Sequence, residues 1–556
     1  MPKPFVPLLL AALALGSAPA LAQKAKVKVK SKAEKTEPVA APAPAAPTDW
    51  SVTYASTITP EDLRKHLSVL ASDEYEGRET GEKGQKMAAE YLAKQFAALG
   101  LAGPVKDSDN PYIQHFTLER SSWDAAGMKL QIGKQQYQWL ADYYASGDLP
   151  FAQETALQPV FAGYGIEQEG YNDYAALPDL TGKDVVVLVG EPLKDGKPLL
   201  GKDGKPSKWG FDARSKVAAA TKRGARSIVF VHPDAAKFTE ILARYKPYLS
   251  QPRVSMLGKP GTAQPPRAAA LTLSPAAGYA LLGTSADGVA KYQAAVGAAG
   301  QPVKASFKPT KLLIKSPRKT STFSTENVMG LLEGSDKKDE VLVLSAHYDH
   351  LGVQDGKVYN GADDDGSGTV SVLELAEAFT KAKAEGHGPR RSILFLTVTG
   401  EEKGLFGSEY YTDNPVIPLA QTIADLNMDM VGRYDDQHKA GDQYVELVGS
   451  DKLSSELHAI NEEANKKYTQ LDLGYRYNDP NDPERVYYRS DHYNFAKHKV
   501  PVIFYTTGDH ADYHQPTDDV DKIEFPLMAK RGQLVFHTAW ELVNRDNRIV
   551  VDSNKP

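Results

Sequence analysis

From residue 327 onward, apolar positions fall into near-unbroken runs at 340–345, 391–398, 423–428 and 500–505, and the stretch 371–381 between them reads as a helix. Apolar strands that alternate with helices, and that show no polar face, predict a parallel sheet covered on both sides. Upstream, Thr59-Pro60-Glu61-Asp62 has the form of a helix start: Thr as cap, Pro at the first position, acids in the first turn. Leu63, Leu67 and Leu70 continue it at helical spacing. A loop, Gly77-Arg78-Glu79-Thr80-Gly81, leads to a second helix that carries Ala88, Tyr91, Leu92 and Phe96 and stops at Gly100.

The texture changes near residue 135. Runs such as 159–165 and 183–189 are short, rich in Val and bounded by Gly, and 227–231 forms another after a helical stretch at 215–224. Nothing between 135 and 305 clusters His with carboxylates. The expected organisation is therefore a discontinuous chemical domain, 49–134 with 306–556, interrupted by a smaller β-rich insert at 135–305. The expected fold class is α/β, a mixed but mostly parallel sheet flanked by helices. No repeat of fixed period runs through the chain.

The first 48 residues read differently. Lys3, an apolar run at 5–15 and the small-x-small sequence Ala20-Leu21-Ala22 form a secretory signal, with cleavage expected after Ala22. The run is short for a spanning helix, and Pro7, Gly16, Ser17 and Pro19 interrupt it. Residues 23–48 alternate Lys with small residues and then become Ala- and Pro-rich, which is the composition of a flexible tether. The expectation is an exported protein, periplasmic or extracellular, with no stable membrane insertion once the signal is cut.

Composition narrows the chemistry. The 65 basic and 71 acidic residues give a net charge of −6 with no basic domain, which argues against a nucleic-acid partner. There is no cysteine, so disulfides, thiolate catalysis and sulfur-ligated metals are all excluded, and any metal must be held by His, Asp or Glu.

Those residues gather where the predicted strands end. The 340–345 run leads into Ala346-His347-Tyr348-Asp349-His350, and residues just past a parallel strand's C-terminal end line the ligand crevice of such sheets. His347 and Asp349 lie two apart, so an extended chain points both to one side, and Asp349 is placed to orient a metal-bound imidazole. Asp363-Asp364-Asp365 precedes a helix, and three adjacent acids repel one another unless solvated or neutralised by a cation. The EF-hand pattern fails there, with Gly361 at its first position and Val372 where the bidentate acid belongs. Glu401-Glu402 follows the 391–398 strand, and two adjacent acids can divide labour between a metal and its water. Asp429 and the pair Tyr513-His514 complete the set. A His, Asp and Glu donor set of this size suits zinc, with manganese or cobalt as substitutes.

His347-Tyr-Asp349-His-Leu-Gly352, Gly361-Ala-Asp-Asp364-Asp-Gly-Ser-Gly368, Gly400-Glu401-Glu402-Lys-Gly404, Asn427-Met-Asp429-Met430 and Tyr513-His514 resemble, in order, the motifs of the co-catalytic zinc aminopeptidases. That family includes bacterial leucyl aminopeptidase and glutamate carboxypeptidases. The resemblance covers about 59–133 and 310–545, and the insert looks like a protease-associated domain. It implies two zinc ions bridged by Asp364, with His347 and Asp429 completing one site and Glu402 and His514 the other. Glu401 would be the general base, Asp349 would sit behind His347, Tyr513 would hydrogen-bond the oxyanion, and the Asp364–Asp365 peptide would be cis.

The expected activity is aminopeptidase cleavage of peptides with a free N-terminus. A glutamate-releasing carboxypeptidase shares the ligand set, but no Arg cluster stands out beyond Arg485 and Arg489. A glutaminyl cyclase and a metal-free receptor are further alternatives, and the oligomeric state is left open. Ser490-Asp491-His492 is contiguous and forms no triad by itself, so a supporting role near the site is expected. His510 and Asp512 flank the last loop and are expected at the solvent. Tyr475, Tyr477, Tyr487 and Tyr488 suit either a substrate pocket or ordinary packing.

Overall fold

The computed structural model describes residues 48–258 and 267–553. The signal segment and nearly all of the tether, residues 1–47, lie outside the described residues. Among the described residues, no helix is long and apolar enough to cross a membrane.

The helix expected after Thr59 forms as its sequence predicts. α1 (Pro60–Leu70) is capped by Thr59, whose hydroxyl accepts from the Asp62 N–H at 3.2 Å, and it buries Leu63, Leu67 and Leu70. α2 (Lys83–Ala98) buries Ala88, Ala89, Leu92 and Phe96.

Nine strands form the main sheet: β1 (Ile113–Trp123), β2 (Arg253–Met256), β3 (Arg318–Leu332), β4 (Lys337–His347), β5 (Arg391–Val398), β6 (Thr422–Met428), β7 (Tyr444–Val448), β8 (Asp472–Gly474) and β9 (Val502–Thr506). Their spatial order is β2-β1-β3-β5-β4-β6-β9-β7-β8. The central strands β5, β4, β6 and β9 are mutually parallel. The pairs on the β1 side are antiparallel, as is β9 with β7, while β7 and β8 pair in parallel. The result is a mixed sheet with a parallel centre.

The apolar runs have a plain cause. In β4, Val341 and Val343 pack into one core with Leu394, Leu396 and Phe495, while Leu342, Leu344 and Ala346 pack into another with Val370, Phe379 and Phe536. Successive side chains point to opposite faces, and both faces are covered, so neither set is free to be polar. α3 (Gly368–Ala384) and α4 (Phe525–Asn544) supply much of the larger core.

A second core runs from Leu130 to Ile314, a few residues beyond the 135–305 span on each side. It encloses a five-stranded sheet ordered Tyr143–Ser146, Ala269–Leu273, Ser227–Val231, Asp184–Leu188, Pro159–Phe161, of which the last four are parallel. A four-stranded antiparallel sheet built on Leu312–Lys315 adjoins it. With Ala213–Lys222, Ala235–Ser250, Pro275–Leu282 and Ala286–Ala299 helical, this segment holds helices as well as strands. One of its strands leaves it: β2 pairs with β1 at the edge of the main sheet.

Candidate metal centre

The parallel centre of the sheet explains why distant motifs meet. Ser345 of β4 is level with Leu396 of β5 and Asn427 of β6, and Met428 is level with Tyr505 of β9. All four strands therefore end along one rim, and each hands over to a loop carrying a chemical group. His347 closes β4, Glu401 and Glu402 follow β5, Asp429 follows β6, and His514 lies in the loop after β9.

Asp364 lies between two imidazoles. Its Oδ1 is 3.4 Å from His347 Nε2 and its Oδ2 is 3.1 Å from His514 Nε2. Asp429 Oδ1 stands 3.6 Å from His347 Nε2, and Glu402 Oε2 stands 3.2 Å from His514 Nε2. The peptide joining Asp364 to Asp365 is cis. Glu401 reaches to 3.9 Å from His347 Nε2, so that it, His347 and Asp429 form one close donor group. His350 forms the other with Asp364 and Glu402, its Nδ1 2.7 Å from Glu402 Oε1.

The three adjacent acids divide their tasks. Only Asp364 faces the cluster. Asp365 accepts from the N–H groups of His347, Gly368 and Met430, tying three rim segments together. Asp363 accepts from the Gly432 N–H and lies 3.1 Å from His510 Nε2.

Electrostatics bind the cluster into a unit. Burial pushes the Asp364 carboxyl up, but His347 and His514 outweigh it and hold the group well below the usual carboxylate range. Glu402 is held at about 2, burial and Asp364 being outweighed by His350 and His514. Glu401 is raised well above its ordinary value by burial, against the pull of His347 and with the push of Glu402 and Asp429. His514 rises to about 10 because Asp364 and Glu402 outweigh its burial.

These residues fit a pair of metal ions. His347 Nε2, both ring nitrogens of His350, Asp364 Oδ2 and Glu402 Oε1 are buried and lack a hydrogen-bond partner. Buried polar atoms are rarely left so, and unpaired buried charge is costlier still. Donor separations of 3.1–3.6 Å match neighbouring ligands about 2.0–2.2 Å from a tetrahedral zinc.

The residues around the cluster correct three expectations. Asp349 does not hold His347 through its carboxylate, which lies 3.8 Å from Nδ1; the imidazole meets the Asp349 main-chain carbonyl at 3.1 Å instead. The Asp349 carboxylate turns to the Thr80 hydroxyl, which donates to it at 2.5 Å, and to the Glu401 N–H at 3.3 Å. His510 is buried, not exposed, because Asp363 draws it inward. Asp512 is only half-exposed, where Arg433 and Lys522 both donate to it.

Ser490 has the supporting place expected of it, donating to Asp429 Oδ2 at 2.7 Å. Tyr513 stacks on His514 and accepts from Arg489 at 3.3 Å. A pocket opens beside Asp364, Glu401 and Asp429, with Met430, Val486 and Phe504 as its apolar wall. Of the four tyrosines, Tyr477 lines it. Sequence reasoning missed His350, Arg78 and Thr80: the first stood inside a motif without a role, and the other two lay in a loop far upstream.

Fold and cluster together define a zinc-exopeptidase-like α/β protein with paired metal-donor groups. Residues 327–539 match the model of peptidase family M28. It is 29% identical over 214 residues to a probable leucine aminopeptidase of Arthroderma otae, covering 37% of this chain and 55% of that one. It is 25% identical over 233 residues to an aminopeptidase of Bacillus subtilis, covering 40% of this chain and 46% of the relative. The chain thus spans about half the length of the curated relatives it matches. Among solved structures, an aminopeptidase from Aneurinibacillus sp. strain AM-1 shares the fold, with a TM-score of 0.52 and 18% identity over 91% of this chain and all of the other.

Proposed function

We propose that the protein is a zinc-dependent aminopeptidase that removes N-terminal residues from peptides. The observation that carries this reading is Asp364, whose two oxygens face His347 and His514 in separate directions, as a ligand shared by two ions does. His347 and Asp429 would complete one position, and Glu402 and His514 the other. Zinc bound there would lower the pKa of water and polarise a carbonyl.

This chain's own residues do the rest. Glu401, whose carboxyl burial and the neighbouring acids hold above its ordinary value against the pull of His347, accepts a proton from the attacking water and delivers it to the leaving amine. Tyr513, steadied by Arg489 and by its stacking on His514, donates to the carbonyl oxygen as negative charge develops there. The acids around the pocket attract a free substrate amine, and the wall of Met430, Val486 and Phe504 receives an apolar first side chain.

The test is a leucyl peptide offered free or acetylated, each with and without a chelator. Cleavage of the free peptide alone, abolished by chelation and restored by zinc, is the expected outcome. Release of the C-terminal residue from the acetylated peptide would instead establish a carboxypeptidase, a reading that Arg489 at the pocket wall favours as a carboxylate partner. Export belongs to the same proposal. N-terminal sequencing of the protein recovered outside the cytoplasm is expected to begin at Gln23, and an intact Met1 end there would contradict it.

A further inference from the structure

The loop Gly77-Arg78-Glu79-Thr80-Gly81 lies about 250 residues before the matched family segment begins, yet it is bonded to three parts of the metal centre. It enters tightly: Glu76, Gly77 and Arg78 have φ of 48°, 64° and 51°. A Cβ on Gly77 would stand 2.3 Å from the Tyr359 carbonyl oxygen, so only glycine lets the loop approach this closely.

Arg78 is 1% exposed and forms no ion pair among the described residues. Its guanidinium donates instead to four main-chain carbonyls. Nε reaches Tyr348 at 2.7 Å, Nη1 reaches Leu70 and Asn360 at 2.7 Å each, and Nη2 reaches Gly361 at 2.9 Å. Tyr348 follows His347, and Gly361 opens the turn that carries Asp364. One planar fork therefore ties the His347 segment to the Asp364 segment, with α1 as a third anchor. A lysine keeps the charge but has no such fork.

Two residues on, Thr80 is fully buried and donates to Asp349 Oδ2, leaving Oδ1 to accept from the Glu401 N–H. Glu79 between them pairs with Lys403 at 3.0 Å, next to Glu402. The loop is also tied to the segment after His347 through the His350 N–H, which donates to the Arg78 carbonyl at 3.2 Å.

We infer that Arg78 and Thr80 are positioning residues of the metal centre: Arg78 sets the separation of His347 from Asp364, and Thr80 sets Glu401 through Asp349. The turnover half of this inference rests on the aminopeptidase reading, and the metal half does not.

The experiment uses the purified full chain and the variants Thr80→Val, Thr80→Ser and Arg78→Lys. Outer partners of metal ligands typically contribute about 10–100-fold in affinity or activity. Thr80→Val is expected to keep its metal content and thermal midpoint, to lose kcat by at least about 10-fold and to hold KM within about twofold, with Thr80→Ser returning most of the loss. Arg78→Lys is expected to surrender zinc to a competing chelator at a concentration at least about 10-fold lower than the unaltered chain. Wild-type kcat in Thr80→Val, or equal loss in Thr80→Ser, would overturn the role of Thr80. Unchanged zinc competition in Arg78→Lys would overturn that of Arg78. Should Arg78→Lys not fold, Arg78→Gln takes its place in the zinc competition; should the unaltered chain cleave no peptide, the zinc competition still decides Arg78 while the aminopeptidase reading falls.

Discussion

Asp364→Ala is expected to strip the centre of its metals, taking two equivalents of zinc per chain to less than one by elemental analysis. Among the described residues, no other side chain is within reach of both imidazoles in this way: Oδ1 is 3.4 Å from His347 and Oδ2 is 3.1 Å from His514. Removing it leaves each position with two of its three proposed ligands and takes away the negative charge between them. It also leaves the buried His347 and the acids around it, with the half-exposed His514, without their shared partner, a costly arrangement. The chain should still fold, since the turn is held from outside the side chain. Asp518 accepts from the N–H groups of Asp363 and Asp364, and Asp365 bonds three rim segments. Turnover should fall below detection. Full zinc content in this variant would remove Asp364 from the shared role.

Glu401→Gln separates the metals from the proton transfer. Glutamine has nearly the same shape, and the hydrogen bond from the Glu401 N–H to Asp349 is made by the main chain, so it survives the change. The amide accepts no proton at neutral pH. We expect zinc content to stay at two and kcat to fall about 10²–10⁴-fold, the usual worth of a general base, with KM little altered. Because the group acts only in the transition state, a variant that lost affinity instead would point to substrate binding. Turnover within about tenfold of the unaltered chain would transfer the role of base to another residue.

The sequence made the centre of the fold and the rim of the site legible for one reason. A strand buried on both faces must be apolar throughout, so 391–398 and 423–428 show as runs, and the first polar residues after them mark the strand ends. His347, Glu401, Glu402 and Asp429 were found in that way. The same logic fails at the sheet's edge. Arg253–Met256 is half-exposed and short, and pairing with β1 is a main-chain event that leaves no side-chain signal. The second core illustrates a milder form of this limit. Its strands were visible, but its borders at Leu130 and Ile314 depend on which side chains pack together.

Around the site, the misreadings share a physical cause. Asp349 has the right spacing to support His347, yet its carboxylate had a better partner in Thr80, 269 residues away in the chain. His510 looked like a solvent residue of a loop because the acid that buries it, Asp363, is 147 positions upstream. Spacing along the chain constrains direction over a few residues. It carries no information about which distant donor arrives in the space that remains.

By itself, then, the sequence determined which residue types can serve as donors, the absence of sulfur ligands and the order in which strands deliver His347, Glu401, Glu402 and Asp429 to one rim. These follow from residue type and from local periodicity, which act over a single strand or turn. Only the tertiary structure decided which of three adjacent acids faces the centre, that His350 stands beside Glu402, and that an arginine and a threonine from an upstream loop are hydrogen-bonded to the segments around it. Those choices are made by hydrogen bonds between segments hundreds of residues apart, and such bonds exist only once the chain has closed around them.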